Sequence, residues 1–340
     1  MRIQAVAARI IRQFIRDKRT LALLFAAPLL VLTLVKLVFS GTAADPHIGV
    51  SSALPKEIAV QLTQAGAAVT AYEQTEQALD ALQAKKLDAV VAVTGGQPAV
   101  TLEGSDPAAS KAVIMVLQKA LQRSSSAPQP QISYLHGSPD MSAFDSFGPV
   151  LIGFFSFFFV FMLAGVSFLR ERTGGTLERL LATPIRRSEV VAGYISGFGL
   201  FTLLQAVLIA WYAIDILGIY MDGSLALVLL INLLLSLTAL TLGILLSSFA
   251  GNEFQIIQFI PLVIVPQVFF SGLFSLDTMA PWLQKLSYIM PLYYGADAMR
   301  NIMIRGEGWN GIQGDVYILL GFSALFALLN IVALRRHRAI

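Results

Sequence analysis

Thr20–Ser40, Phe147–Leu169, Val190–Leu217, Leu225–Phe249, Phe254–Phe274 and Val316–Leu334 are apolar over 19 to 28 residues each. A helix needs about 20 such residues to cross the hydrocarbon core. Within lipid every backbone N–H and C=O must be bonded inside the protein, which leaves helices or closed barrels. The chain is therefore read as an α-helical integral membrane protein with six transmembrane helices. Composition agrees: 56% of the 340 residues are hydrophobic and 13% charged, against about 25% charged in a soluble domain.

Charge sets the expected orientation. Residues 1–19 carry six Lys or Arg, 170–189 carry five and 335–338 carry three, whereas the turn at 218–224 has none. The positive-inside bias then puts both termini and the 170–189 loop in the cytoplasm. The first 19 residues read as an amphipathic helix. Arg2, Arg9, Arg12, Arg16 and Arg19 share one arc, and Ile3, Val6, Ile10 and Phe14 another, with Asp17 out of place among them. Such a helix is expected in the headgroup layer, its arginines toward anionic lipid; a plain positive flank is the alternative. The first span follows at 20–40, with Pro28 as a possible kink and Lys36 snorkelling near its far end. Thr42–Ala44 resembles a small-residue cleavage site, so a signal peptide is its rival reading. Signal cores are only about 7–15 residues long, which favours an uncleaved span.

Residues 41–146 form a polar insert large enough to fold alone. Strands are expected at 48–51, 68–72, 88–93, 99–103 and 131–135, and helices at Leu54–Ala65, Thr75–Lys86 and Pro107–Arg123. Ser124–Gln131 reads as a loop, and the runs at 94–96 and 137–140 as turns. This is an α/β domain between spans 1 and 2, extracytoplasmic on the charge argument. It contains no phosphate-cradling loop or catalytic set.

Several functions are excluded. A net charge of +3 without a basic-aromatic stripe does not fit nucleic acid. There is no cysteine, and His47, His136 and His337 are scattered, so no cofactor or metal is expected on this chain. No Gly-Lys pair occurs, so no P-loop can hold ATP. The spans also lack mid-depth ionisable groups, which argues against ion coupling. Any energy must come from a separate subunit.

The segment Arg170–Val190, R-E-R-T-G-G-T-L-E-R-L-L-A-T-P-I-R-R-S-E-V, carries eight charges in 21 residues. Thr176 is expected to cap a short helix, 177–182, that Pro184 stops. Leu177, Leu180 and Leu181 would face one way, Glu178 and Arg179 the other, a shape suited to docking a soluble partner. A solvated connector is the alternative. The third span opens with Gly193-x-x-x-Gly197, a spacing that permits close helix contact or arises by chance. In the fifth span, Gln255 and Gln258 share a face, Pro261 and Pro266 are expected to break the helix, and Gln267 follows. Backbone freed at that depth needs protein or cavity water, which suggests a cavity-lining helix. Residues 275–305 are amphipathic, with Trp282, Tyr288, Tyr293 and Tyr294, and read as two short helices dipping into the outer leaflet.

Residues 171–190, together with P-Q-V-F-F-S-G-L-F (266–274), M-A-P-W-L (279–283) and M-P-L-Y-Y-G-A-D-A-M-R (290–300), resemble the permeases of ABC type-2 exporters. The likeness covers most of the chain outside the insert, and the insert's size resembles the multidrug and lipid branch. It implies a six-span half-transporter of the bacterial cytoplasmic membrane, paired as a homodimer or paralogous heterodimer. Two ABC ATPase subunits would bring ATP and Mg. On the same likeness Arg170, Glu171, Arg172, Gly174, Gly175, Thr176, Leu177, Glu178, Arg179, Leu180 and Pro184 fall in the ATPase-coupling loop, and 275–305 in a re-entrant outer segment.

The expected function is efflux of an amphiphilic or hydrophobic substrate, a drug, antibiotic or lipid. Phe154, Phe155, Phe158 and Phe161 would line its cavity with Gln255, Gln258, Pro261, Pro266 and Gln267, although the phenylalanines fit a lipid-facing surface equally well. A transmembrane receptor or assembly factor sensing a ligand through the α/β domain is the alternative. It leaves the cytoplasmic loop without a purpose.

Overall fold

The structure is a computed structural model that describes residues 2–39, 45–51, 56–84, 86–94, 97–103, 107–124, 137, 141–274, 276 and 279–336. It divides into a helical unit, Met1–Ser40 with Tyr134–Ile340, and a second unit, Gly41–Ser133.

The second unit holds β1 (His47–Ser51), α3 (Lys56–Gln64), β2 (Ala68–Tyr72), α4 (Thr75–Gln83), β3 (Ala89–Thr94), β4 (Gln97–Leu102) and α5 (Pro107–Ser124). The strands lie in the order β2-β1-β3-β4, the first three parallel and β4 antiparallel to β3. Side chains on a strand alternate between faces. Ile48, Val50, Ala89 and Val91 pack with Leu62 of α3 and Val113 and Val116 of α5, while Val90 and Ala92 pack with Ala78 and Leu82 of α4. Helices thus cover both faces of a largely parallel sheet. The strand expected at 131–135, residues 95–96, His136, His337 and 42–44 lie outside the described residues.

The helical unit begins with α1 (Arg2–Arg16) and α2 (Lys18–Phe39). Asp17 separates them, and its carboxylate accepts from the Thr20 backbone N at 3.1 Å and from Thr20 Oγ1 at 2.5 Å. The residue out of place in the amphipathic pattern is therefore the cap of the next helix. Those bonds to Thr20, aided by nearby Arg170, hold the Asp17 carboxyl below its ordinary range. Next come α6 (Ala143–Thr173), α7 (Thr176–Leu181), α8 (Arg187–Trp211) with a π-helical turn at Tyr212–Ile216, and α9 (Leu225–Ser247). Then follow α10 (Glu253–Phe269), α11 (Pro281–Gln284) running into a 3-10 turn at Lys285–Ile289, α12 (Pro291–Met303) and α13 (Trp309–Arg336).

Five helices among the described residues are long and apolar enough to cross a membrane: Lys18–Phe39, Phe144–Thr173, Arg187–Ile216, Leu225–Ser247 and Trp309–Leu334. The chain is a multi-pass membrane protein. The stretch expected as the fifth span forms α10, whose 17 residues reach about 25 Å at 1.5 Å per residue, short of the ~30 Å core. The expected helix breaks at Pro261 and Pro266 do not occur, because α10 runs through both. Each proline frees the carbonyl four residues back. Those carbonyls belong to Ile257 and Leu262, which are exposed, so the helix can bend away there without losing packing.

The core of the unit is the pairing of α6 with α9, joined by α8, α12 and α13. Thr238 of α9 bonds Ser323 of α13 at 2.7 Å, and Asn330 Nδ2 donates to the Thr241 carbonyl at 2.8 Å. The segment expected to dip into the outer leaflet differs at α12. Leu292, Ala296, Met299, Ile302 and Met303 are buried, so this helix packs into the bundle. The Lys36 ammonium donates to the Leu217 carbonyl, at the end of the third span. One turn earlier Thr33 bonds the Tyr212 hydroxyl at 2.7 Å, and the two bonds pin α2 beside the π turn.

The apolar face of α1, the helix expected in the headgroup layer, packs on α8. Val6, Ile10 and Phe14 are buried, and Phe14 meets Phe201 at 4.5 Å between ring centroids. Gly193 and Gly197 leave room for this crossing: a Cβ on Gly193 would lie 2.6 Å from Val6 Cγ1, and one on Gly197 2.9 Å from Ile10 Cβ. Replacing Gly193 with Leu is expected to lift α1 from α8, an overpacking cost of about 1–3 kcal/mol. Limited proteolysis of the purified protein should then cut among residues 2–16 at a protease dose that leaves wild type intact. Unchanged cleavage would mean that α1 is held elsewhere.

Candidate functional site

At 31 residues, α6 is about 46 Å long, half as long again as the hydrocarbon core. Its last turn therefore extends past the apolar layer and carries Arg170, Glu171 and Arg172. Gly174 closes the helix, and Gly175 adopts a left-handed φ of 70°. No neighbour would crowd a side chain at Gly175, so the backbone conformation itself calls for glycine there. Gly175, not Thr176, is the cap of α7; the expected Thr176 cap is wrong by one position, since Thr176 is already the first helical residue. Leu177 is buried and Leu180, Leu181 and Ile185 are half-buried, which seats α7 on the core. Glu189 Oε2 accepts from the Arg186 backbone N at 2.7 Å and starts α8.

The three consecutive charges at the end of α6 reach α10, α1, α8 and the turn between α9 and α10. The Arg170 Nε donates to Glu253 Oε1 of α10 at 2.8 Å, and its Nη1 lies 4.0 Å from Asp17 Oδ2. Glu171, only 5% exposed, accepts from Arg9 Nη2 of α1 at 2.5 Å and from the Tyr194 hydroxyl of α8 at 3.0 Å. Arg9 also donates to that hydroxyl at 3.2 Å. Arg172 donates to the backbone carbonyls of Ser248 and Ala250, in the turn between α9 and α10. A second ion pair, Arg2–Glu189 at 3.6 Å, ties α1 to the start of α8. A carboxylate buried this deeply is retained only when paired and hydrogen-bonded, and Glu171 is both.

The expected docking loop therefore has two parts. Glu171, and Arg172 with it, are not offered to a partner; they fasten the loop to α1, α8 and the α9–α10 turn. What stays exposed is the tip, where Gly174, Glu178, Arg179 and Pro184 are open to solvent and Gly175, Thr176 and Leu180 are partly so. A cavity of about 410 Å³ lies between the tip and α1, lined by Arg2, Val6 and Arg9 on one side and Leu180, Pro184 and Ile185 on the other.

The residues expected to line a substrate cavity do not come together within the chain. Phe155 and Phe161 are buried in the packed core, and Phe161 stacks on Phe157 at 6.4 Å. Phe154 and Phe158 are half-buried and stack on each other at 5.9 Å. Gln255, Gln258 and Pro261 are exposed and Pro266 half-buried. Gln267 is buried because its Oε1 accepts from the Leu292 backbone N at 2.9 Å, so it caps α12 and is not turned toward a cavity. Arg9, Tyr194 and Glu253, absent from the expected site, complete the loop's base. A signal for two of the cations was present. At 100° per residue Arg2 and Arg9 lie at the edge of the arginine arc, about 40–60° from Val6, where a cation meets whatever the apolar stripe packs on.

A family model described as ABC-2 family transporter protein matches residues 18–332 of the chain. Among curated proteins, the ABC transporter G family member 20 of Dictyostelium discoideum is 29% identical over 201 residues, 59% of this chain and 28% of that protein. The probable multidrug ABC transporter permease YbhS of Escherichia coli is 26% identical over 167 residues, 48% of this chain and 44% of that protein. The linearmycin resistance permease protein LnrN of Bacillus subtilis is 25% identical over 185 residues, 53% of this chain and 48% of that protein. The matches thus span less than half the length of each of these relatives.

Proposed function

The chain belongs to the ABC-2 family of transporter proteins, and on that footing we propose that it is the membrane subunit of an exporter driven by a separate ABC ATPase. The observation that carries this reading is the divided loop. A tip that is solvent-exposed yet bolted through Arg170, Glu171 and Arg172 to α10, α1, α8 and the α9–α10 turn can pass a push from outside to several helices at once. Flexible attachment would dissipate it. Glu178 and Arg179 present charge for the partner, and Leu177 holds them in place from below.

In this reading α10 and the turn after it form the fifth of six membrane segments, both termini face the cytoplasm, and the α/β unit faces outward. Two copies pair, or one pairs with a paralogue, to give twelve spans in a bacterial cytoplasmic membrane, with ATP and Mg held by two ATPase subunits. The exposed Gln255, Gln258, Pro261 and the half-buried Phe154, Phe158 and Pro266 then face the partner copy and line the route between them. Phe155, Phe161 and Gln267 support that wall from behind. The names of two relatives, a multidrug permease and a linearmycin resistance permease, support an amphiphilic or hydrophobic cargo, with lipid as a further possibility of the same chemistry.

The test is co-purification from detergent with the ABC ATPase encoded alongside the chain, wild type against Glu178→Arg. Wild type is expected to retain the ATPase and the variant to lose it at least tenfold, with both membrane subunits eluting as folded protein. If wild type captures no ATPase, the exporter reading fails and the α/β unit becomes the place to look for function.

A further inference from the structure

The cavity of about 410 Å³ between α1 and the loop tip has the size of a small-ligand site, about 300–1,000 Å³. Its walls are apolar: Ala5 and Val6 of α1 on one side, Leu180, Pro184 and Ile185 on the other. Ala5 and Pro184 are exposed and Leu180 and Ile185 half-buried, so apolar surface stays open to solvent. Arg2 and Arg9 stand among these walls, and neither is fully engaged. Arg9 commits its Nη2 to Glu171 and Tyr194, while its buried Nε has no hydrogen-bond partner among the described residues. The Arg2 side chain is 53% exposed and lies 3.6 Å from Glu189, a surface pair that holds either group weakly. Arg12 and Arg16 continue the same arc of α1, exposed and without an ion-pair partner among the described residues. Residues 1–19 and 170–189 together carry eleven Lys or Arg against four Asp or Glu, so the field around the cavity is positive.

A buried donor left unmet is costly, and guanidinium groups match carboxylate and phosphate oxygens in shape as well as charge. A metal ion or an amine would be repelled by the two arginines. A sugar or a nucleotide would press its polar groups against Ala5, Val6 and Leu180 and lose their hydration. An anionic head joined to an apolar tail satisfies both halves of the lining. We propose that this cavity binds an anionic amphiphile, with its carboxylate or phosphate on Arg2 and Arg9 and its tail between α1 and α7. The charge that the tip offers an ATPase is not in the way, since Glu178 lies about 160° around α7 from Leu180. A ligand seated there touches α1 and the tip at once and braces the tip against α1. That regulatory role rests on the exporter reading; the binding itself does not.

Binding is tested on the purified full chain in phosphatidylcholine nanodiscs, without ATPase, by calorimetric titration with 8-phenyloctanoate. The neutral 8-phenyloctan-1-ol is the control, and protein-free nanodiscs give the partition baseline. Saturable binding of the carboxylate above that baseline is expected, with the alcohol weaker by about tenfold or more. Ala5→Trp fills the cavity from an exposed position and should abolish the saturable phase, and Arg2→Gln should weaken it about tenfold. Lys18→Gln removes a cation that does not line the cavity and should leave the affinity unchanged. Equal binding of the alcohol, an affinity unchanged in Ala5→Trp and Arg2→Gln, or an equal loss in Lys18→Gln overturns the proposal. Mass spectrometry of lipid retained by the detergent-purified chain separates the sources of the ligand. Retained phosphatidylglycerol that Ala5→Trp loses identifies a membrane lipid, and none retained a free amphiphile. Carboxylate binding without ATPase co-purification would uphold the site while removing the exporter; the reverse would do the opposite.

Discussion

Replacing Glu171 with Ala is expected to lower the thermal midpoint of the purified protein by several degrees. The substitution removes the acceptor shared by Arg9 and Tyr194 and leaves a guanidinium part-buried with no anion. Breaking a buried pair from one side costs about 3–5 kcal/mol. The Arg9 side chain keeps 34% of its exposure, which places the cost near the lower end, about 3 kcal/mol. Because Arg9 belongs to α1 and Tyr194 to α8, the loss should appear locally as well, as faster hydrogen exchange in residues 2–16. The double variant Arg9→Met with Glu171→Met separates charge from shape. It removes both ions and fills the site with apolar side chains of similar length, and such replacements are commonly neutral or better. Recovery of most of the lost midpoint is therefore expected. If the single variant melts with wild type, the pair contributes nothing and the rigid base inferred for the loop has to be abandoned. On the proposed exporter reading, the same single variant should keep an ABC ATPase bound, since the tip is untouched, but support less transport.

Five of the six expected spans were legible because a bilayer imposes one simple demand, about 20 apolar residues per crossing, and the chain meets it there in plain runs. The α/β unit was legible for a related reason: two-residue and 3.6-residue periodicities alternate from His47 to Ser124. Hidden from sequence were the pairings across distance. Nothing local says that Glu171 meets Arg9, 162 residues away, so a buried hub reads as one more surface charge in a polar loop. The same blindness hid the partner of Gln267, a backbone N–H at Leu292, and that of Lys36, a carbonyl at Leu217. In each case a polar side chain within apolar surroundings suggested water or a headgroup. The backbone of a neighbouring element supplied the partner instead, at helix ends and turns where such groups are left over. Asp17 shows the reverse: a residue that spoiled one pattern was the cap of the next helix.

The α6–α9 crossing gives the sharpest contrast, because two glycines on its two sides should respond oppositely to the same change. A Cβ on Gly243 of α9 would lie 2.6 Å from the Phe161 carbonyl oxygen, 3.1 Å from Ala164 Cβ and 3.2 Å from the Gly165 N. Two of these three are backbone atoms of α6 and cannot rotate away, so the helices themselves must part. A Cβ on Gly165 would instead meet Ile256 Cγ2 at 3.3 Å and the Gly243 carbonyl at 3.6 Å, and the isoleucine can shift. Alanine gains up to about 1 kcal/mol over glycine in a helix interior, which Gly165→Ala should largely keep. Its midpoint is expected at or slightly above that of wild type. Gly243→Ala has the same propensity gain but is expected to lose more than it to overpacking, about 1–3 kcal/mol, and Gly243→Leu to yield little folded protein. The loss should reach the loop, since α6 carries Arg170, Glu171 and Arg172 at its end and Gly243 lies one turn before Ser247, at the end of α9. Melting of the three variants side by side, followed by size-exclusion after heating, decides the matter. A Gly243→Ala protein as stable as Gly165→Ala would mean that α6 and α9 are not in backbone contact, and that a push on the loop must travel by another route.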